Sequence, residues 1–189
     1  NNLLDLDAEV FLSFLPLSHS YEHTAGLYMP ISIGAEIYYA ESIDRLSANM
    51  VEVQPTIMAA VPRLYENMYQ RIVSGVKLKG GLSAKLFNKT VALGTKEYEQ
   101  GLDKLNFLEK IQNRLLSKLV RDKVAGRFGG RLKAFISGGA PLNYDIGIFF
   151  HSLGVRLAQG YGMTETAPIV SCNPLDLNRI KIDTVGPPV

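Results

Sequence analysis

The chain has 189 residues, enough to bury one sizeable core. Its 20 Lys+Arg nearly balance 18 Asp+Glu, so net charge supplies no argument for a nucleic-acid partner. No apolar run approaches the ~18 residues of a membrane span, no secretory-signal pattern is read at its start, and one cysteine excludes an internal disulfide and fits a reducing compartment.

Val10-Phe11-Leu12-Ser13-Phe14-Leu15 is an apolar run of the kind a strand buried on both faces carries. Tyr21 to Ile33 reads as a helix loosened by Gly26 and interrupted near Pro30, and Glu36 to Ala40 as the next strand. A helix is expected from Ser42 or Asp44, either of which can cap it, with Leu46, Met50 and Val53 inward and Pro55 as its stop. Thr56 to Val61 is again a buried strand. Pro62 suits the first turn of the next helix, whose stripe is Leu64, Met68 and Ile72.

From Gly75 to Gly81 the pattern predicts a Gly/Lys loop, followed by one helix from Ser83 and a longer one from Leu105 to about Val124. Leu108, Ile111, Leu115, Leu116 and Leu119 are the predicted inward face of the second. After a break at Phe128-Gly129-Gly130, Leu132 to Ser137 reads as a strand. Asn143 is a good N-cap, and Ile146, Phe149, Phe150 and Leu153 trace one face of a helix stopped by Gly154. A last strand, Val155 to Ala158, leads to Gln159-Gly160-Tyr161-Gly162-Met163-Thr164-Glu165-Thr166, where the chain is expected to turn. Strand–helix alternation at this spacing predicts an α/β fold with a mostly parallel sheet flanked by helices. Ligands of such sheets sit beyond the C-terminal strand ends, where Ser137-Gly138-Gly139 and Gln159 to Glu165 fall.

The chemistry of that last stretch suits a nucleotide. A tyrosine face can stack on a base, glycines admit close backbone approach, a threonine hydroxyl can donate to a phosphate, and a glutamate can hold magnesium. The bland alternative is a strand-to-loop turn whose threonines satisfy backbone groups.

Tyr161-Gly162-Met163-Thr164-Glu165 resembles the signature of the adenylate-forming enzymes, the acyl-CoA synthetase or AMP-binding superfamily. Ser137-Gly138-Gly139-Ala140-Pro141-Leu142 resembles that family's adenine-flanking loop, and Leu15-Pro16-Leu17-Ser18-His19-Ser20-Tyr21-Glu22 its acyl-site motif. The latter, with Val61-Pro62-Arg63-Leu64-Tyr65-Glu66, is most similar to long-chain fatty acid–CoA ligases.

The resemblance implies adenylation of a fatty acid by ATP, then transfer of the acyl group from AMP to coenzyme A; the alternatives are a relative that adenylates another carboxylic acid and a non-catalytic nucleotide-binding module. The same resemblance implies catalytic roles for Thr164 at the α-phosphate, Glu165 on Mg2+, and His19 as a wall between acyl pocket and thiol tunnel. The implied nucleotide contacts are Gly138, Gly139, Ala140, Pro141, Gln159, Gly160, Tyr161, Gly162, Met163 and Thr164. Family members are far longer, with a Ser/Thr/Gly/Lys phosphate loop before this region, and a ribose-binding aspartate and a C-terminal lid after it. The expectation is therefore that residues 1–189 are the central segment of a large N-terminal domain, inactive alone.

Two further readings stand beside it. His19-Ser20-Tyr21-Glu22-His23 also spells H-x-x-E-H, a zinc-peptidase pattern that requires both histidines on one helical face. Pro16 and the strand before it place His19 in a loop as readily as on a helix. Lys104, Lys110, Arg114, Lys118, Arg121, Lys123, Arg127 and Arg131 crowd one amphipathic helix. That face reads first as solvated. The second reading is contact with an anionic membrane surface, which puts a cytoplasmic protein peripherally at the inner membrane face. Arg63 and Arg156 read as surface or ion-pair residues, and Cys172 as incidental.

Overall fold

The structure is a computed structural model and describes residues 9–189. Its strands are β1 (Val10–Ser13), β2 (Glu36–Tyr39), β3 (Ile57–Ala60), β4 (Ala134–Ser137), β5 (Leu157–Gly162) and β6 (Ile169–Cys172). They form one sheet in the order β2-β1-β3-β4-β5-β6. The first five run parallel and β6 joins antiparallel, so the α/β expectation holds with one reversed edge. The central strands β1 and β3 are buried along their whole length, as continuous apolar runs in a covered parallel sheet must be.

Side-chain alternation divides the strands between two layers. Leu12, Met58, Ala60 and Phe135 join one large core with α3 (Leu46–Val53), α4 (Pro62–Lys79), α5 (Gly81–Gln100) and α8 (Tyr144–Ser152). Ala59 points the other way, toward Tyr21 and Ala25. Those two belong to a continuous helical stretch made of α1 (Ser20–Glu22), a π-helical segment His23–Tyr28 and α2 (Met29–Ser32). Pro30 does not break it: the bonding changes from π-helical to α-helical at Met29, one residue before the proline.

Three expectations fail for identifiable reasons. Gly75 to Gly81 is not a loop: α4 continues to Lys79 because Ile72 and Val76 pack onto the core, and the break falls at Gly80 and Gly81, both at positive φ. Ser42 Oγ accepts from Arg45 N at 3.3 Å, the bond expected of an N-cap, but a turn separates it from α3, whose own cap position is held by Arg45 without a side-chain bond; Asp44 makes no cap and lies 3.9 Å from Arg71.

The third failure concerns the basic helix. It divides into α6 (Phe107–Leu116), a π-helical segment Ser117–Arg121 and α7 (Asp122–Arg127). Leu116 is buried, but Leu108, Ile111, Leu115 and Leu119 are exposed. The inward face instead carries Asn113, Val120 and Val124. Asn113 donates to Glu97 Oε2 at 2.7 Å and accepts from Arg121 Nη2 at 2.8 Å, while Arg121 Nε donates to the Ser152 carbonyl. This polar cluster sets the rotation of α6, since a buried polar group must keep its partners. Arg121 therefore leaves the basic face on which its sequence position put it.

Several other boundaries follow the sequence closely. Asn143 Oδ1 caps α8 by accepting from Asp145 N and Ile146 N, and Gly154 ends it at φ 78°. Arg63 pairs with Glu66 on the surface. Asn106 and Glu109 form a reciprocal capping box at the start of α6.

Candidate functional site

The C-terminal ends of β4 and β5 open into a cleft of about 330 Å³. Gly138 and Gly139 form one wall, Gly160 to Glu165 another, and His19, Ser20 and Tyr21 the third. Pieces more than a hundred residues apart thus meet where parallel sheets bind ligands.

The signature stretch does not turn at Ala158. β5 runs on through Gly162, and its second half pairs with β6: Gly160 faces Cys172 and Tyr161 faces Ser171. A tight return follows. Met163 N donates to the Pro168 carbonyl at 2.9 Å, and Thr166 Oγ donates to the same carbonyl at 2.7 Å. A Cβ on Gly162 would lie 1.7 Å from that carbonyl oxygen, so no larger residue closes the turn without moving the backbone. Thr166 is thus a structural hydroxyl. The short 3-10 turn Thr164–Thr166 presents Thr164 and Glu165 exposed at the cleft. Thr164 Oγ1 lies 3.2 Å from Ser20 Oγ, so two hydroxyls from opposite ends of the sequence stand side by side. Tyr161 is half exposed beside them.

On the facing wall, two tyrosines converge on one carbonyl. Tyr21 Oη and Tyr65 Oη donate to the Ile136 oxygen at 3.1 and 2.9 Å, reaching it from the two layers. Burial, with the neighbouring Glu22 charge, pushes the Tyr21 phenol far above its ordinary value, so Tyr21 is a fixed neutral donor. A Cβ on Gly138 would lie 3.0 Å from the Tyr21 ring, which explains the absence of a side chain there.

His19 caps α1: its Nδ1 accepts from Tyr21 N at 3.1 Å, leaving the Nε2 side for the cleft. His23 Nδ1 bonds the Leu17 carbonyl. Glu22 faces the sheet instead, accepting from Ser13 Oγ at 2.6 Å and from Phe14 N at 3.2 Å. Burial raises its carboxyl pKa, against the pull of those two bonds. Its Cγ, Cδ and Oε1 fill the space above Gly26, which has no Cβ to occupy it. The zinc-peptidase reading is thereby corrected, because His19 sits at the N-cap before the helix and Glu22 Oε1 is committed to Ser13 Oγ and Phe14 N. Among the described residues no group of three His, Cys, Asp or Glu could hold a metal ion.

Not every implied nucleotide contact lines this cleft. Gly138, Gly139, Gly160, Tyr161, Gly162, Met163 and Thr164 do; Ala140, Pro141 and Gln159 do not. Ala140 and Pro141 are exposed beyond the loop. Gln159 is buried: its Oε1 accepts from Leu142 N at 2.9 Å and its Nε2 donates to the Ile182 carbonyl at 2.6 Å. Its side chain therefore braces the glycine loop against the segment around Ile182. The cleft also holds residues to which motif reading gave no role: Ser20, Ile136, Pro168, Ile169 and Cys172. Cys172 is half-buried and its thiol is pushed up by burial. Its place follows from the hairpin between Gly162 and Pro168, a signal present in the sequence as a glycine and a proline bracketing the turn.

The AMP-binding enzyme family matches residues 2–189. The peroxisomal long chain acyl-CoA synthetase 6 of Arabidopsis thaliana is 32% identical over 87% of this chain. The human long-chain-fatty-acid–CoA ligase ACSBG2 is 33% identical over 84% of it. The chain spans 22% and 24% of the length of those two proteins. Among solved structures, the long-chain-fatty-acid–CoA ligase FadD1 of Archaeoglobus fulgidus superposes with a TM-score of 0.55 at 18% identity, covering 95% of this chain and 28% of that one. ATP-bound MatB from Rhodopseudomonas palustris superposes at 0.58 and 20% identity, covering 96% of this chain and 26% of that one. Sequence family, parallel sheet and cleft position agree: this chain belongs to the AMP-binding enzyme family.

Proposed function

We propose that the full-length protein is an AMP-forming long-chain fatty acid–CoA ligase, and that this chain is the central part of its nucleotide-binding N-terminal domain. In the first half-reaction a fatty acid carboxylate attacks the α-phosphorus of ATP and pyrophosphate leaves. In the second the coenzyme A thiolate attacks the acyl carbon, a thioester forms and AMP leaves. One observation carries the reading: a single cleft gathers the Gly138–Gly139 strand end, the Tyr161–Glu165 turn and His19–Tyr21. The names of the relatives over most of this chain support the substrate class.

In this reading Thr164 and Ser20 offer hydroxyl donors to phosphate oxygens, and Tyr161 packs on the base. The glycines of both strand ends let the backbone approach the nucleotide. His19, held by its cap bond, walls the path between the acyl group and the thiol. Glu165 fits a magnesium ion: its carboxylate is exposed at the cleft, and Mg2+ takes one or two protein carboxylates with phosphate and water oxygens completing its shell. The ion would neutralise charge on the phosphates.

The test is pyrophosphate release by the full-length protein with fatty acids of about twelve to eighteen carbons, with and without Glu165→Ala, which should lower the rate roughly a hundredfold. Release with aromatic acids alone would refute the substrate class. No release with any acid would refute the ligase reading.

A further inference from the structure

Glu22 is a buried carboxyl to which the proposed chemistry gives no task. His19, Ser20 and Tyr21 line the nucleotide cleft, and Glu22, the next residue, does not. It is 1% exposed, and its Oε2 finds no hydrogen-bond partner among the described residues. An apolar side chain would fill the same space without that cost. What the carboxyl contributes is Oε1, which accepts from Ser13 Oγ at 2.6 Å and from Phe14 N at 3.2 Å. Both donors sit at the end of β1, so the bonds close a loop whose ends are nine residues apart.

The cleft wall has few other fastenings to the sheet. α1 is three residues long and passes at once into π-helical bonding. The bonds from Tyr21 N to His19 Nδ1, from His19 N to the Pro16 carbonyl, and between His23 Nδ1 and the Leu17 carbonyl are internal to that stretch and its lead-in. Tyr21 Oη reaches the Ile136 carbonyl, which holds the tip of a ring on β4. The Glu22 bonds hold the other side, fixing α1 against β1. Gly26 leaves room for them: a Cβ there would lie 2.2 Å from Glu22 Oε1 and 2.6 Å from its Cδ. Ser20, two residues before Glu22, has its Oγ 3.2 Å from Thr164 Oγ1.

We propose that Glu22 is a positioning residue for nucleotide binding: clamped on the end of β1, it sets the backbone of the wall so that Ser20 and Thr164 present their hydroxyls together to the phosphates. This rests on the reading of those two hydroxyls as phosphate donors. Binding groups must be held to within about 0.5 Å, and a serine on an unclamped three-residue helix is not so held.

The experiment measures the affinity of the full-length protein for ATP by calorimetry, with Mg2+ and without fatty acid or coenzyme A, alongside hydrogen exchange in peptides covering 13–23. Glu22→Leu keeps most of the volume and loses the acceptor; it should raise the Kd for ATP roughly tenfold and speed exchange of the Phe14 amide. Glu22→Gln keeps an acceptor for both donors and should bring the Kd back to within about threefold of wild type. Gly26→Ala should reproduce the Glu22→Leu loss, because its Cβ displaces the carboxyl, and should cost nothing further in a Glu22→Ala background. In a Ser20→Ala background, Glu22→Leu should change the Kd by less than about twofold, since the residue it positions is gone. If Glu22→Leu does not fold, Ser13→Ala removes one donor and carries the same test with a loss of about threefold. Full additivity with Ser20→Ala, or an unchanged Kd in Glu22→Leu and Gly26→Ala, would overturn the proposal, as would a wild type that binds no ATP. Pyrophosphate release plays no part in these measurements, so its absence would refute the ligase reading and leave this one standing.

Discussion

Replacing Gln159 with leucine tests whether this residue braces the cleft or touches the nucleotide. In the structure both ends of its amide are used internally, by Leu142 N at 2.9 Å and the Ile182 carbonyl at 2.6 Å, and the residue is 8% exposed. Leucine fills nearly the same volume but leaves that N–H and that carbonyl without partners in a buried site. Each orphan costs about 1–3 kcal/mol, and the added apolar burial returns part of this, for a net loss near 3 kcal/mol. Because 1.4 kcal/mol is a factor of ten, the Leu142 amide should exchange with deuterium roughly 150-fold faster. Hydrogen-exchange mass spectrometry on the full-length protein reads this in peptides spanning 138–146 and 180–186. Gln159→Glu is the informative companion. It keeps an acceptor for Leu142 N but sets an oxygen against the Ile182 carbonyl, so the faster exchange should concentrate in the second peptide. If Gln159→Leu instead raised the KM for ATP with exchange unchanged in both peptides, the side chain would be a nucleotide contact and the bracing argument would be wrong.

His151 makes stability depend on pH. Burial, with the Arg121 charge nearby, lowers its pKa from 6.5 to about 4. The folded state thus holds it neutral while the unfolded chain protonates below 6.5, so its contribution is full above that pH and is lost progressively as pH falls toward 4. The loss should reach about 2 kcal/mol near pH 5, seen as a drop in urea midpoint that His151→Phe removes. Gly162→Ala should cut pyrophosphate release at least about tenfold and disturb the turn, because its Cβ would meet the Pro168 carbonyl at 1.7 Å; wild-type turnover in this variant would mean the return is not needed at the site.

How much was legible in the chain differs from element to element. The buried strands Val10–Ser13 and Ile57–Ala60, Pro62 at a helix start, and the Asn143 cap with its Gly154 stop were all readable, because each is a local effect of side chains on their own backbone. The cleft was readable as far as its motifs sit at strand ends. The failures share a cause as well. Leu108, Ile111, Leu115 and Leu119 have a helix's apolar spacing, yet Asn113 with Glu97 and Arg121 turned that face outward. Gln159 sits inside a nucleotide-like motif, yet it spends its amide on Leu142 and Ile182.

By itself, then, the sequence determined the alternation of strands and helices, the order of the three motifs and the family they mark. These rest on local periodicity and capping, and on a residue pattern that needs no coordinates. Only the tertiary structure decided which face of α6 is buried, that Ser20 meets Thr164, and which polar groups are committed to internal bonds. Those outcomes depend on partners far away in the chain, and a buried amide or carboxylate takes whichever partner the packed core brings within reach.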